Sequence, residues 1–478
     1  MYGRSASGST GTPGLQERTP LWLDCDPGHD DACALLLAIH HPSLDLLGVS
    51  TVGGNAPGAS TCANAAQLLV AFGAPESVEL WRGSDLPLLK APRHGDVAIH
   101  GEGGLGGVTG LPILSDPSVQ RRFTGPRSSF YSAESSLIPP HEPAAVVNRL
   151  AELVSARMRE RKPKLHIAIT GPCTNIALFC KMYPHLLAGV EQIVLMGGVA
   201  GGAGNRGPLA EFNILCDPEA AAIVFDADIK TVMAGLNVTH TAIFTRDLHA
   251  RLLKGTNMAP IPAGGPSPLR VTLSSILTFF ASTYASEFGF VLGPPVHDSL
   301  ALMYIIEPQL FWTYGTPATA IHGRRQQPNP YLANPLPKRA RQGSRAGAGA
   351  GAGGDGGDND EDDDDDDDDD NDDVEHIETK DEMMYDRLRT DALEPWFGWD
   401  RPMIPPVRYR VQVECTPRSL AEGATVVDWW GNWGFDESAG WGRGGKNVEV
   451  LEEVDTRKMW DIFFEVVDRA ESVLHPSR

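Results

Sequence analysis

Leu21-Trp22-Leu23-Asp24-Cys25-Asp26-Pro27-Gly28-His29-Asp30-Asp31, continued by ACALLLAIH to His40, is the stretch on which the fold turns. A short apolar strand, Leu21-Trp22-Leu23, meets a turn at Pro27-Gly28, and an apolar helix follows from about Asp31 to His40. The same grammar recurs along the chain. A strand from Leu46 to Val52 ends in Gly53-Gly54-Asn55, ahead of a helix from about Ala59 to Phe72. Leu165 to Thr170 is a strand ending in Gly171-Pro172, before a helix from Thr174 to Met182. Ile193 to Met196 ends in Gly197-Gly198, and the helical stretch Pro218 to Phe225 precedes a strand from Thr231 to Leu236. Continuous apolar strands alternating with helices predict an α/β fold, an open and mainly parallel sheet covered on both faces. In such sheets ligands bind beyond the carboxyl ends of the strands.

Around this frame lie segments of other composition. Residues 1–18 are rich in Gly, Ser, Thr and Pro and read as a disordered tail. Residues 115–141 are polar and irregular, a long connection inserted into the fold. A second insertion, about 323–400, contains GSRAGAGAGAGGDGG and a run of aspartates, and cannot form a core. The fold then resumes with an alternating strand from Val407 to Val413, another from Val448 to Val454, and an amphipathic helix from Thr456 to Leu474. The piece after the second insertion is too small to stand alone, so residues 19–475 are expected to form one interrupted domain.

The 478 residues are 42% hydrophobic, enough to bury a large core. The formal charge of −22 is concentrated: residues 355–375 carry 16 acids and no base, which leaves −6 for the rest. That balance gives no support to nucleic-acid binding, which wants a basic face. No apolar run reaches the ~18–20 residues of a membrane helix, and Asp45 interrupts the nearest candidate, Ala32 to Val52. The first residues contain no apolar stretch that would serve as a secretory signal. Seven scattered cysteines, with no CxxC pair, suit reduced thiols in a cytosolic or nuclear compartment.

Asp24, Asp26, Asp30 and Asp31 place four carboxylates within eight residues at a strand's carboxyl end. Acids cap helix N-termini, but four together repel one another. A cation resolves the repulsion, and an all-oxygen set suits a hard ion such as Ca²⁺ or Mg²⁺. Asn55 follows the second strand, Thr170 ends the third, and Asn205, Glu211 and Asn213 follow the fourth. Each alone reads as a turn former; together they suit a polyhydroxylated substrate such as a sugar. Val296-His297-Asp298 precedes an apolar helix from Ser299 to Ile306, where Asp298 alone reads as an N-cap and His297 as structural.

DCDPGHDDACALLLA, TVGGN, ITGPCTNIA, LMGG, AEFNILCDPEAA, GLNVTH and VHD, in that order, strongly resemble the nucleoside hydrolase family of the inosine–uridine-preferring type. The resemblance runs from about Thr19 to Glu471, apart from the two insertions, and implies that family's Rossmann-like fold. It implies Ca²⁺ bound by Asp26, Asp31, the carbonyl of Thr170 and Asp298, with Asp26 also acting as general base. Asp30, Asn55, Asn205, Glu211 and Asn213 match groups that hold the ribose hydroxyls, and Met196 and Phe212 their apolar neighbours. His297 matches the histidine that protonates the departing base, His100 one near the base pocket, and Asp24 an outer support of the site. The implied partner is a small ribonucleoside, with neither nucleic acid nor membrane, and the implied assembly a homo-oligomer, dimer or tetramer. GGVAGGAGN is one residue longer than the family's spacing before Asn205, and Tyr284, Phe288 and Phe290 are candidates for the aromatic lid.

The implied chemistry agrees with the residues. Breaking an N-ribosidic bond passes through an oxocarbenium-like state. An acidified water, a carboxylate to take its proton and an acid beside the leaving base lower that barrier, and no covalent nucleophile is needed, so inversion is expected. Two other readings compete. A Mg²⁺-dependent haloacid-dehalogenase-type phosphatase shares DxD after a first strand, but it has no use for Pro27-Gly28, AEFN or VHD. A non-catalytic acidic interaction protein would use residues 355–375 to bind basic partners.

Overall fold

The computed structural model describes residues 18–93, 97–123, 137–139, 142–255, 265–313, 404–434, 436 and 439–475. All of these belong to one unit, formed by residues 1–334 together with 404–478. The first half of the fold contains β1 (Thr19–Cys25), α1 (His29–His40), β2 (Leu44–Thr51), α2 (Gly58–Ala71), β3 (Glu79–Arg82), α3 (Val97–His100), α4 (Pro117–Gln120) and α5 (Pro143–Arg159). There follow β4 (Leu165–Ile169), α6 (Thr174–Met182), β5 (Val190–Met196), α7 (Phe212–Cys216), α8 (Pro218–Phe225), β6 (Thr231–Ala234), α9 (Leu236–Thr239), α10 (Arg246–Lys254), α11 (Pro268–Phe288) and α12 (Ser299–Ile306). The last elements are β7 (Phe311–Trp312), β8 (Val407–Tyr409), β9 (Val411–Val413), β10 (Thr425–Val427), β11 (Val448–Val450), β12 (Glu453–Val454) and α13 (Thr456–Leu474).

Eight strands make one sheet in the order β3-β2-β1-β4-β5-β6-β11-β8. Every pairing in it is parallel except β11 with β8, which is antiparallel and closes one edge. The alternation of β1 explains its central place. Leu21, Leu23 and Cys25 join a core shared with α1, α2, α11, α12 and α13, whereas Trp22 joins the opposite core under α5, α6 and α8. Both faces of a buried strand must be apolar in this arrangement, and each fully buried leucine contributes roughly 1.5–3 kcal/mol. On the first face Arg270 of α11 is buried among its partners: its Nε donates to Glu471 at 2.8 Å and its Nη1 to the Leu252 carbonyl at 2.9 Å, and it also bonds Asp468.

The order reverses between β1 and β4, because the chain builds β2 and β3 on one side before returning to build β4 to β6 on the other. A crevice opens at such a reversal beyond the strands' carboxyl ends. Asp26, Asn55, Thr170 and Met196 stand at the ends of four neighbouring strands there.

Three expectations are corrected. Val407 to Val413 is not one strand: β8 joins the main sheet, while β9 pairs with β10 in a separate two-stranded sheet. The break is at Arg410, whose buried guanidinium reaches Asp226 at 3.1 Å and the Gly442 carbonyl at 3.2 Å. Val448 to Val454 likewise divides, with β11 in the main sheet and β12 antiparallel to β7: the N–H of Leu451 makes the last bond to β6, at the Met233 carbonyl, and its own carbonyl goes to the Asn237 amide at 2.8 Å. The insertion 115–141 is not irregular throughout: Asp116 caps α4 through the N–H of Ser118 at 2.7 Å, and Phe123 bridges Leu80 beside β3. The acidic insertion, about 323–400, lies outside the described residues, as does the tail before Arg18. At the edges of that gap the N–H of Thr313 donates to the carbonyl of Ile404 at 2.9 Å, an antiparallel bridge. Among the described residues, no helix is long and apolar enough to cross a membrane.

Candidate active site

The turn between β1 and α1 puts acids where the first turn of a helix offers free N–H groups. Asp31 accepts the N–H of Gly28 at 2.9 Å and the hydroxyl of Thr170 at 2.7 Å. Asn55, past the end of β2, donates its N–H to Asp26 Oδ2 at 2.7 Å and its amide to Asp31 Oδ2 at 3.3 Å. The approach is close enough to require glycine at position 54, where a Cβ would lie 2.0 Å from Asp26 Oδ2. Asp24 supports the turn from beneath: it accepts from Ser50 and, at 2.8 Å, from Asn175.

Asp30, Asp31 and Asp298 each direct a carboxylate oxygen to one point, the three oxygens lying within 4.8 Å of one another. Asp26 is not among these three. Its Oδ1 is buried with no hydrogen-bond partner, and so is Oδ2 of Asp298. The Thr170 carbonyl at the same place accepts from Asn213 Nδ2 at 2.9 Å and keeps a second lone pair. Burial, and then the neighbouring acids, push the Asp26, Asp30 and Asp298 carboxyls well above the usual range. Burial raises Asp31 as well and lifts Asp24 to about 7. Clustered, buried acids with unpartnered oxygens are what a cation would neutralise. The donors are all oxygen, so the group they fit is a hard divalent ion.

Above these acids opens a cleft of about 460 Å³. Asp30, Asn55, Thr170, Met196, Asn205, Glu211, Phe212, Asn213, His100, His297 and Asp298 all line it, while Asp26 and Asp31 stand behind the lining. Glu211 caps α7, accepting the N–H groups of Asn213 at 2.8 Å, Gly198 at 3.0 Å and Ile214 at 3.1 Å. Even so, burial lifts it to about 7. Asn205 holds the N–H of Phe212 at 3.0 Å, which ties the glycine-rich flap 197–211 to α7. The flap is fastened from its other side by β10: Thr425 Oγ1 accepts from the Val199 N–H and donates to the Val199 carbonyl, both at 2.7 Å.

The other end of the cleft is aromatic. His297 is held at both ring nitrogens, Nδ1 by the Thr239 hydroxyl at 2.7 Å and Nε2 by the Tyr284 hydroxyl at 2.8 Å. Burial keeps its pKa well below the usual value, so the ring is neutral at pH 7. Tyr284 and Phe288 line the cleft; Phe290 does not, and packs behind Tyr284 at 5.7 Å between ring centroids. Ile99 and Arg206 also line it, the guanidinium lying 5.6 Å from the Phe288 ring and 5.9 Å from that of Phe212. Sequence reasoning missed both, because one apolar residue and one arginine in a glycine-rich stretch carry no spacing pattern. Thr239 stands in the GLNVTH motif, but nothing in the sequence ties it to His297, 58 residues on.

The family model described as inosine-uridine preferring nucleoside hydrolase matches residues 21–461. A uridine nucleosidase of Saccharomyces cerevisiae is 35% identical over 295 residues, covering 61% of this chain and 76% of the yeast protein. A pyrimidine-specific ribonucleoside hydrolase of Salmonella paratyphi A is 36% identical, covering 62% of this chain and 81% of its own length. Among solved structures, an inosine-guanosine nucleoside hydrolase superposes with a TM-score of 0.61 at 17% identity, over 94% of this chain and 99% of that one. A purine-preferring ribonucleoside hydrolase from Gardnerella vaginalis gives 0.58 at 19% identity, over 95% and 99%; at such identities the likeness speaks for the fold. With the family model spanning nearly the whole chain and both sequence relatives matched over most of their length, this chain belongs to the inosine-uridine preferring nucleoside hydrolases and is a ribonucleoside hydrolase acting on N-glycosyl compounds.

Proposed function

We propose that the cleft splits ribonucleosides into free base and ribose with one Ca²⁺ held by Asp26, Asp31, Asp298 and the Thr170 carbonyl, Asp26 acting as base and His297 assisting the departing base. The observation that carries this reading is the pair of buried, unpartnered oxygens, Asp298 Oδ2 in a residue that lines the cleft and Asp26 Oδ1 in one behind that lining. Asp30 adds an oxygen within 4.8 Å of those of Asp31 and Asp298. When bound, the ion supplies the positive charge that makes a water acidic near neutral pH. Asp26 would take the proton of the attacking water as the water's oxygen bonds to the anomeric carbon. Asn55, Asn205, Glu211 and Asn213 hold the ribose hydroxyls, fixing the attack geometry. The C–N bonding pair leaves with the base, which collects a proton at the aromatic end, where the hydrogen-bonded His297–Tyr284 pair stands.

The names of the sequence relatives make pyrimidine ribonucleosides, uridine first, the substrates to expect. Seven free cysteines support a reducing, cytosolic setting. The deciding experiment measures reducing sugar released from uridine, cytidine and inosine, before and after chelation and again after Ca²⁺ is restored. Release that persists through exhaustive chelation sinks the metal assignment, and no release from any nucleoside sinks the activity.

A further inference from the structure

Among the described residues that line the cleft, Arg206 alone carries a permanent positive charge. It stands in the glycine-rich flap beside Asn205 and is half-buried. Its guanidinium lies 5.9 Å from the centre of the Phe212 ring and 5.6 Å from that of Phe288. Phe212 stands between Glu211 and Asn213, in the half of the cleft that holds ribose hydroxyls, whereas Phe288 ends α11 in the aromatic half. The cation therefore marks the junction of the two halves. Its charge is felt at the aromatic end. Burial and Asp30 raise the Tyr284 hydroxyl, and Arg206 opposes them. Burial, then His29 and Arg206, lower the His100 ring.

A ribonucleoside whose hydroxyls lie against Asn55, Asn205, Glu211 and Asn213 has its base toward the rings, so its glycosidic bond falls at that junction. As the bond breaks, its electron pair goes to the base nitrogen. In a pyrimidine the charge spreads from N1 onto the adjacent O2. A fixed cation lowers the energy of such a developing anion without any proton transfer. Guanidinium stays protonated throughout the ordinary pH range, and it carries five N–H donors in a planar fork, more than contacts with ring faces use. Hydrogen bonds from such a group to an anionic oxygen are stronger than those to the neutral carbonyl it grew from. That difference is what favours bond breaking over mere binding.

We propose that Arg206 is a catalytic residue of the leaving-group step: its guanidinium donates hydrogen bonds to O2 of a pyrimidine base and stabilises the negative charge that gathers there as the C1′–N1 bond breaks. This deepens, and rests on, the reading of the cleft as a ribonucleoside site. The step balances. The C1′–N1 pair goes to the base, the water's oxygen forms the new bond to C1′, and Asp26 takes the water's proton. Arg206 keeps all of its protons. The base takes up its own proton afterwards at the His297–Tyr284 pair, which solvent replenishes as Asp26 sheds the one it took.

The test uses the full-length protein with Ca²⁺ and three ribosides of increasingly stable leaving group: uridine, 5-fluorouridine and 4-nitrophenyl β-D-ribofuranoside. Arg206→Met keeps a stem between the rings and removes the charge. It should cost about a hundredfold in kcat on uridine, less on 5-fluorouridine and under about threefold on the nitrophenyl riboside, the first being the scale of one lost donor to a developing anion. KM for uridine should stay near the parent's, because the interaction strengthens only as the bond breaks. Equal losses on all three ribosides, in a variant that keeps the parent's Tm, would make Arg206 a brace between the flap and α11 and overturn the proposal. Undiminished turnover of uridine would overturn it too. Arg206→Lys, which keeps a charge without the fork, should show the same ordering with smaller losses, and it carries the test if the Met variant does not fold. If the unaltered protein cleaves none of the three, the reading of the cleft fails and takes the proposal with it. If it cleaves all three, only the role of Arg206 is at stake.

Discussion

Asp26 is restrained on one oxygen by a single backbone N–H and has the other bare, an arrangement that favours a carboxylate able to take up a proton. Replacing it by Asn keeps the shape and deletes the base. Asp26→Asn should fold normally by circular dichroism yet lose roughly 10²–10⁴ in kcat and bind Ca²⁺ more weakly by calorimetry; unchanged turnover would reject its role. The acids around it also set a pH dependence. Asp24 rises from 3.8 to about 7 and Glu211 from 4.5 to about 7, both because they are buried. Without a cation the folded protein therefore keeps protons that the unfolded chain sheds above about pH 4. Stability is then full below that pH and falls as pH rises through 7. A bound cation needs the ionised acids, so the gain in Tm on adding Ca²⁺ should be largest above pH 7 and shrink toward pH 4. Scanning fluorimetry with and without chelator reads this, and a gain that grew toward acid would contradict it. The acids themselves were legible, since four in eight residues have few structural uses. The bracket on His297 was not, because Thr239 and Tyr284 approach it only through tertiary folding.

Among the elements, β9 and β10 have the least obvious purpose from sequence and a clear one in the fold. Their small sheet supports the flap that carries Asn205, through both bonds of Thr425 to Val199 and a bridge from Ala424 to Ala210. Thr425→Val has the same shape but leaves a buried N–H and carbonyl without partners. It should raise KM for ribonucleosides about three- to tenfold, as expected for one or two weakened hydrogen bonds, while Thr425→Ser stays near the parent; equal kinetics for Val and Ser would remove the flap from the argument. The parallel strands and their helices were readable because each run is apolar and ends in glycine, and α6, α8, α12 and α13 begin and end where their sequences predict. The strands after residue 404 were misjudged for a physical reason. Alternation continues unbroken through Val407–Val413, whereas the chain changes sheets where Arg410 turns inward to a distant Asp226.

At the scale of the molecule, the chain leaves the described fold at Thr313 and re-enters at Ile404, hydrogen-bonded to each other. Whatever lies between begins and ends at one place, and the entropy of closing so long a connection changes only slowly with its length. Nine consecutive aspartates, Asp362 to Asp370, repel one another and offer no core. Replacing residues 343–373 with a short Gly/Ser linker should leave turnover and Tm nearly unchanged; a large fall in kcat at saturating Ca²⁺ would make the segment a working part. The pairing of Thr313 with Ile404 has a further consequence. The stretch after it inserts β11 between β6 and β8, and lays Met459, Phe463, Phe464 and Val467 of α13 into the core against α1. The break in chain order is thus already made in space, and covalent continuity across it adds little beyond proximity. Two polypeptides, one ending after residue 334 and one beginning at residue 404, should assemble when co-expressed into a two-piece hydrolase, each silent alone, which would turn the acidic tract's position into a ready point for fragment complementation.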